Sequence, residues 1–287
     1  MQKINIIHQT LDGEQTTFQL DYIKEILFKR FKQNTIFDNA KLETVLDNSV
    51  IVYSNNSRSI NEEFKNYLEK FVDKKYKFYL FHLSNESLNH DCEYYSKADL
   101  VFRSYYDPNI KLNNVIFIPL GIKSGFLNNT KEDVEKEYNF SFIGQPKSDR
   151  LELLSVLSSI NNAFIHQTRS WNCVTSLNQE ACKRIYKKTK FVPCPMGWTN
   201  PDSHRIMECL ECDSVPVLKS YNNLEYFKKC WGESFPFPVV DHWGEIKDLV
   251  SISDKEYKKL LKETKKWYVN FKKNVSLKIL NEIKNEN

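Results

Sequence analysis

Short β-rich apolar runs alternate with amphipathic stretches along almost the whole chain, and the alternation breaks only once. KINIIH (3–8), SVIVYS (49–54), KFYLFHL (77–83), DLVFRSYY (99–106) and NVIFIPLG (114–121) read as strands. Helical spacing fills the intervals, through Tyr22, Ile26 and Phe31 within 18–31, then over about 61–74 and 87–97. Such alternation predicts parallel β-α-β units with helices on both faces of a sheet. The polar stretch NNTKEDVEKEYN (128–139) reads as a linker. The pattern then resumes with FSFIG (140–144), AFIHQ (163–167), KFVPCP (190–195), SVPVL (214–218) and FPFPVV (235–240), with helices near 148–159, 176–188, 203–211 and 243–250. From about 254, Tyr257, Leu261, Tyr268, Phe271, Val275 and Ile279 follow the spacing of one long amphipathic helix. The expected organisation is an α/β unit over 1–135, a second over 136–253 and a basic helix over 254–287. Two such units leave a cleft between them, a usual place for a ligand.

Apolar residues make up 41% of the 287, enough for two cores, and no run approaches the ~18 apolar residues of a membrane span. The opening MQKINIIHQTLDGEQTT turns polar after Ile7 and lacks the apolar core of a secretion signal. Seven cysteines, an odd number, argue for reduced thiols, so a cytoplasmic protein is expected. Cys209 and Cys212 form a single C-x2-C on a helix with no second pair, a pattern of core thiols rather than of zinc ligands. The net charge is +4, yet residues 254–287 hold ten Lys against five Asp or Glu, a surplus of 10 − 5 = +5. The rest of the chain is therefore 4 − 5 = −1. A near-neutral body excludes the usual footprint of a nucleic-acid binder. Peripheral contact of the basic helix with the inner membrane face stays open.

The most informative stretch is KFVPCPMGWTNPDSHRIMECLECDSVPVLKS (190–220). A strand enters a Pro/Gly-rich loop, and Ser203 sits where a residue would cap the helix that carries Arg205 and Glu208. These two are three apart, on neighbouring positions of one helix face. A helix N-terminus and a guanidinium fork both suit phosphate, and a carboxylate beside them can accept hydrogen bonds from ribose hydroxyls. Spacing alone leaves open a plain intrahelical ion pair.

Residues 190–220 resemble the signature block of the exostosin-like glycosyltransferases: K-F-x-x-x-P-x-G-W, then S-x-R-x-x-E, then a small residue before P-V. HLSNE (82–86), RSYYDP (103–108), IPLGIKSGF (118–126) and FIGQPKSDR (142–150) recur in the family's order. The combination is similar to the ribitol xylosyltransferase branch. The resemblance implies a GT-B enzyme of two Rossmann-like domains facing a cleft, the second holding a nucleotide sugar, the first the acceptor, with the final helix crossing back onto the first. It implies an inverting, metal-independent transfer to a hydroxyl of a glycan or polyol-phosphate, from a UDP-sugar by preference, UDP-xylose being one case. No D-x-D motif of the metal-dependent kind occurs in the chain.

Displacement at an anomeric carbon needs a base for the acceptor hydroxyl and charge stabilisation for the departing phosphate. Gly144 closes the first strand of the second unit, and Lys147 and Arg150 follow in its strand-to-helix loop. With Arg205 and Ser203 they are the expected diphosphate ligands, Glu208 the ribose ligand and Trp198 a cover over base or sugar. Glu86, in the loop after KFYLFHL, is the expected base; the family has Asp-Glu where this chain has Asn85-Glu86. Asp12 and Glu14, in the loop after the first strand, are its rivals. Arg103, Tyr105 and Tyr106 are expected on the acceptor side. A non-catalytic nucleotide- or glycan-binding module at a membrane surface is the alternative from another class.

Overall fold

In a computed structural model, which describes residues 3–10, 18–38, 41–54, 62–83, 85–88, 92–127, 134–170, 173–221 and 224–285, the strands form two sheets. β1 (Lys3–Thr10), β2 (Lys32–Phe37), β3 (Ser49–Ser54), β4 (Phe78–His82), β5 (Leu100–Ser104) and β6 (Val115–Ile118) lie in the order β2-β1-β3-β4-β5-β6, every pair parallel. The three strands β3, β4 and β5 are buried along their whole length, which explains their unbroken apolar character. β7 (Tyr138–Gly144), β8 (Ala163–Gln167), β9 (Thr189–Pro193), β10 (Val215–Lys219) and β11 (Val239–Val240) form the second parallel sheet, in the order β11-β10-β9-β7-β8. The helices are α1 (Glu62–Asp73), α2 (Arg150–Leu157), α3 (Gln179–Lys187), α4 (His204–Glu211), α5 (Glu225–Trp231) and α6 (Asp254–Asn285).

Four stretches depart from the pattern reading. Residues 18–31 do not form one α-helix; a six-residue π-helical segment spans Tyr22–Leu27 and the chain then enters β2. β2 reads KQNTIF and escapes apolar periodicity because it is an edge strand paired only with β1, with a half-exposed polar face. The helix expected over 87–97 is a 3-10 segment, Glu93–Lys97. FPFPVV contributes only Val239–Val240 as strand: Pro236 and Pro238 have no N–H for a ladder, and Phe235 and Phe237 stack at 4.8 Å instead. α5 is an added helix, and residues 128–133 of the polar stretch lie outside the described residues.

α6 runs from the second sheet to the first. Tyr257 packs edge-on against Phe191 of β9, Trp267 and Phe271 stack with Trp231 of α5, and Tyr268 donates to Glu211 Oε1 at 2.8 Å. Further along, Ile279 and Ile283 are fully buried, and Lys278 and Glu282 line a cavity with Leu100 and Ile116 of the first sheet. Part of its positive charge is spent internally, in Lys265–Asp213 at 2.9 Å and Lys272–Glu211 at 2.6 Å. Among the described residues no helix is long and apolar enough to cross a membrane.

Candidate active site

The second sheet puts β8 on one side of β7 and β9 on the other. The chain therefore leaves β7 and β9 toward opposite edges, and the crevice between their carboxyl ends is where a doubly wound sheet binds ligands. Two segments meet there: the loop from Gly144 to the start of α2, and the loop from Pro193 to the start of α4. Gly144 takes φ +154, and a Cβ on it would stand 3.1 Å from Arg205 Nη2 and 3.7 Å from Arg150 Nη1. Glycine at the strand end thus lets two guanidinium groups converge.

Arg150 donates through Nη2 to Met196 O at 2.7 Å and through Nη1 to Gln145 O at 3.3 Å. Arg205 donates through Nη2 to Ile143 O at 2.9 Å and lies over the ring of Phe142. The Nε of each is buried without a partner. Lys147 completes the group, its ammonium 3.2 Å from the centre of the Trp198 ring. None of the three forms an ion pair with a carboxylate among the described residues. Burial and mutual repulsion have the expected result: Arg150 is pulled down to about 10 by burial and then by Arg205, and Lys147 to about 8 by burial and then by Arg150. Arg205 is held above the usual arginine value despite its burial, because Tyr186, Cys194 and Glu208 favour its charge, so Arg150 and Lys147 are the cations that an anion would relieve most.

Glu208, one turn after Arg205, is buried but not paired with it; the ordinary intrahelical ion pair does not form. Burial pushes its carboxyl up to about 7, against the opposing pull of Arg205 and Lys123. Ser203 has the extended backbone of an N-cap, yet its hydroxyl makes no cap bond and is buried without a partner. The capping role expected of the side chain is therefore corrected: Oγ is an unspent donor beside the start of α4. Neighbouring Asp202 instead accepts the amides of Leu120 (2.8 Å) and Ser203, tying the exit of the first unit to α4. Tyr221 was missed from sequence. Its hydroxyl accepts Met196 N at 2.7 Å and donates to Asp149 Oδ2 at 2.6 Å, fixing both loops; its place just past β10, at the same sheet edge, was the available signal.

The raised carboxyl of Glu208 has a consequence for stability. In the unfolded chain it ionises near the usual glutamate value, whereas in the fold it keeps its proton up to about pH 7. Its contribution is therefore full below the unfolded value and lost as pH rises through 7. Glu208→Gln removes that loss, so the variant's Tm exceeds wild type at pH 8 by several degrees (about 2–4 °C per kcal/mol), and the gap narrows by pH 5. A thermal melt at the two pH values checks it; an equal or lower Tm at pH 8 contradicts it.

Residues 126–287, more than half of the chain, match the family described as the RXYLT1 C-terminal domain. The chain belongs to that family. No curated protein matches it by sequence. Among solved structures, UGT2 of Phytolacca americana in complex with UDP-2-fluoro-glucose and pterostilbene superposes with a TM-score of 0.50 at 11% identity, covering 100% of this chain and 99% of the other. An α1,3-fucosyltransferase with GDP-fucose gives 0.49 at 11% identity, covering 96% and 91%. A UDP-glucosyltransferase from Polygonum tinctorium gives 0.48 at 8%, covering 99% of each chain. The two parallel sheets and the long final helix are the GT-B glycosyltransferase fold.

The segment matched to the RXYLT1 C-terminal domain family contains Gly144, Lys147, Arg150, Trp198, Ser203, Arg205 and Glu208, all of which the fold gathers at or beside one crevice. The first unit lies largely outside that match, and there the expectations for Arg103 and Tyr105 are corrected. Arg103 is fully buried, donating to Tyr95 Oη at 2.6 Å and lying 3.1 Å from His82 Nδ1, so its charge is folded into its own domain. Tyr105 is buried likewise. Tyr106 packs edge-on against Phe117 and donates to Glu225 Oε1 of α5 at 3.2 Å, serving the contact between the two units. Glu86 also reaches across: its Oε1 accepts the amides of Trp198 and, at 3.2 Å, Thr199. Trp198 is 67% exposed, with Lys147 over one face of its ring. Asp12 and Glu14 lie outside the described residues. Among those residues no group of three His, Cys, Asp or Glu side chains is placed to hold a metal, and all seven cysteines are free thiols.

Proposed function

We propose that this protein is a glycosyltransferase that moves one sugar, with inversion, from a nucleotide-sugar donor to a hydroxyl of a glycan or polyol-phosphate acceptor, with a UDP-sugar as the favoured donor. The observation that carries the reading is the convergence of three cations, Lys147, Arg150 and Arg205, none of them ion-paired among the described residues, at the crevice between β7 and β9. A diphosphate leaving group brings the negative charge they lack, in a dehydrated setting where such contacts are strong. These cations supply the neutralisation that a metal ion provides elsewhere, so the transfer is proposed as metal-independent. The orphaned hydroxyl of Ser203 and the N-terminus of α4 add neutral donors. Glu208 accepts the ribose hydroxyls and Trp198 covers the base or sugar. The acceptor enters from the first unit, where Glu86 takes the hydroxyl proton as the bond to the anomeric carbon forms and the bond to phosphate breaks.

Thermal melts against a panel of nucleotide sugars test the donor class. A ligand that binds only the folded state raises stability by about 2.7 kcal/mol at a hundredfold excess over Kd. UDP-sugars are expected to raise Tm most; a panel without any shift contradicts the reading. Slow hydrolysis of the stabilising donor is expected of a transferase, and its absence would favour a non-catalytic binding module.

A further inference from the structure

The carboxylate of Glu86 sits in surroundings suited to a phosphate. It comes from the loop after β4 in the first unit, yet its Oε1 accepts two consecutive backbone amides of the second, those of Trp198 and Thr199. Successive N–H groups converging on one oxygen make an anion-binding concavity. The residue before them is Gly197, and a Cβ placed there would fall on the Glu86 carboxylate. Lys147 lies over the Trp198 ring, Arg150 holds Met196 O in the same loop, and both cations feel the Glu86 charge without pairing to it.

We propose that the amides of Trp198 and Thr199 form part of the donor's diphosphate site, and that Glu86 occupies it as an internal stand-in until the donor displaces it. This rests on the donor reading above. The main chain of Glu86 is anchored separately, its carbonyl accepting from Thr199 Oγ1 at 2.6 Å and from Asn200 Nδ2. The side chain can therefore leave the amides while the loop stays in place. Arrival of the diphosphate then releases the carboxylate toward the acceptor, so the base becomes available only after the donor is bound.

Calorimetry with inorganic pyrophosphate tests this. Glu86→Ala should bind it about tenfold more tightly than wild type, the factor expected if the site is vacant about a tenth of the time. Glu86→Gln, which keeps an acceptor oxygen without the charge, should fall between. Gly197→Ala should weaken binding, because its methyl group takes the space of carboxylate and phosphate alike. Were Glu86 only a latch between the units, both alanine variants would release it and shift affinity in the same direction; that result overturns the proposal, as does unchanged or weaker binding by Glu86→Ala. If Glu86→Ala is neutral while Arg205→Ala loses affinity, the donor reading stands and this inference falls. No binding by wild type or any variant overturns both.

Discussion

Arg205→Ala weakens binding of uridine diphosphate by about 30- to 150-fold, the loss of ~2–3 kcal/mol that accompanies removal of a charged partner from a buried phosphate contact. The size follows from the setting. Arg205 donates to the Ile143 carbonyl, has its charge favoured by Tyr186, lies over Phe142 and is crowded by Arg150, and it forms no ion pair with a carboxylate among the described residues. A surface guanidinium in a salt bridge would cost far less to lose. A purely structural arginine would instead leave nucleotide affinity unaltered, and calorimetry separates the two.

Glu86→Gln lowers turnover by about 10²–10⁴-fold, the usual worth of a positioned general base. An amide cannot take the proton of the acceptor hydroxyl. Donor affinity in this variant should be equal to or better than wild type, because the amide competes less strongly for the backbone N–H groups of Trp198 and Thr199. A fall in kcat without a rise in the donor's Kd is the expected pattern. Unchanged turnover moves the base elsewhere, Asp12 and Glu14 being the rival candidates from the sequence.

Much of the architecture was legible because buried parallel strands leave long apolar runs: SVIVYS, KFYLFHL and KFVPCP each became a strand with little adjustment. The misses share a cause. β2 is polar because only one neighbour and one face constrain it, and the 18–31 stretch has apolar spacing that serves a short π turn and the entry to β2 equally well. At the crevice, the positions of Arg150, Arg205 and Glu208 could be foreseen, since strand-to-helix loops of a doubly wound sheet open at the same edge. Backbone amides have no sequence signature, so the seat of Glu86 on Trp198 and Thr199 could not be foreseen. Arg103 misled for a related reason: a charged residue at a strand end points either out of the sheet edge or into its own domain, and a tyrosine-histidine pocket at Tyr95 and His82 drew it inward.

The central claim is that the crevice at the end of β7 holds a diphosphate between two guanidinium groups. A crystal structure of the protein with uridine diphosphate tests it most directly. The phosphates should lie within hydrogen-bond distance of Arg150 and Arg205, with the ribose against Glu208 and the Glu86 carboxylate moved off the amides of Trp198 and Thr199. Nucleotide bound elsewhere, with both arginines still on the Ile143, Gln145 and Met196 carbonyls, would contradict it.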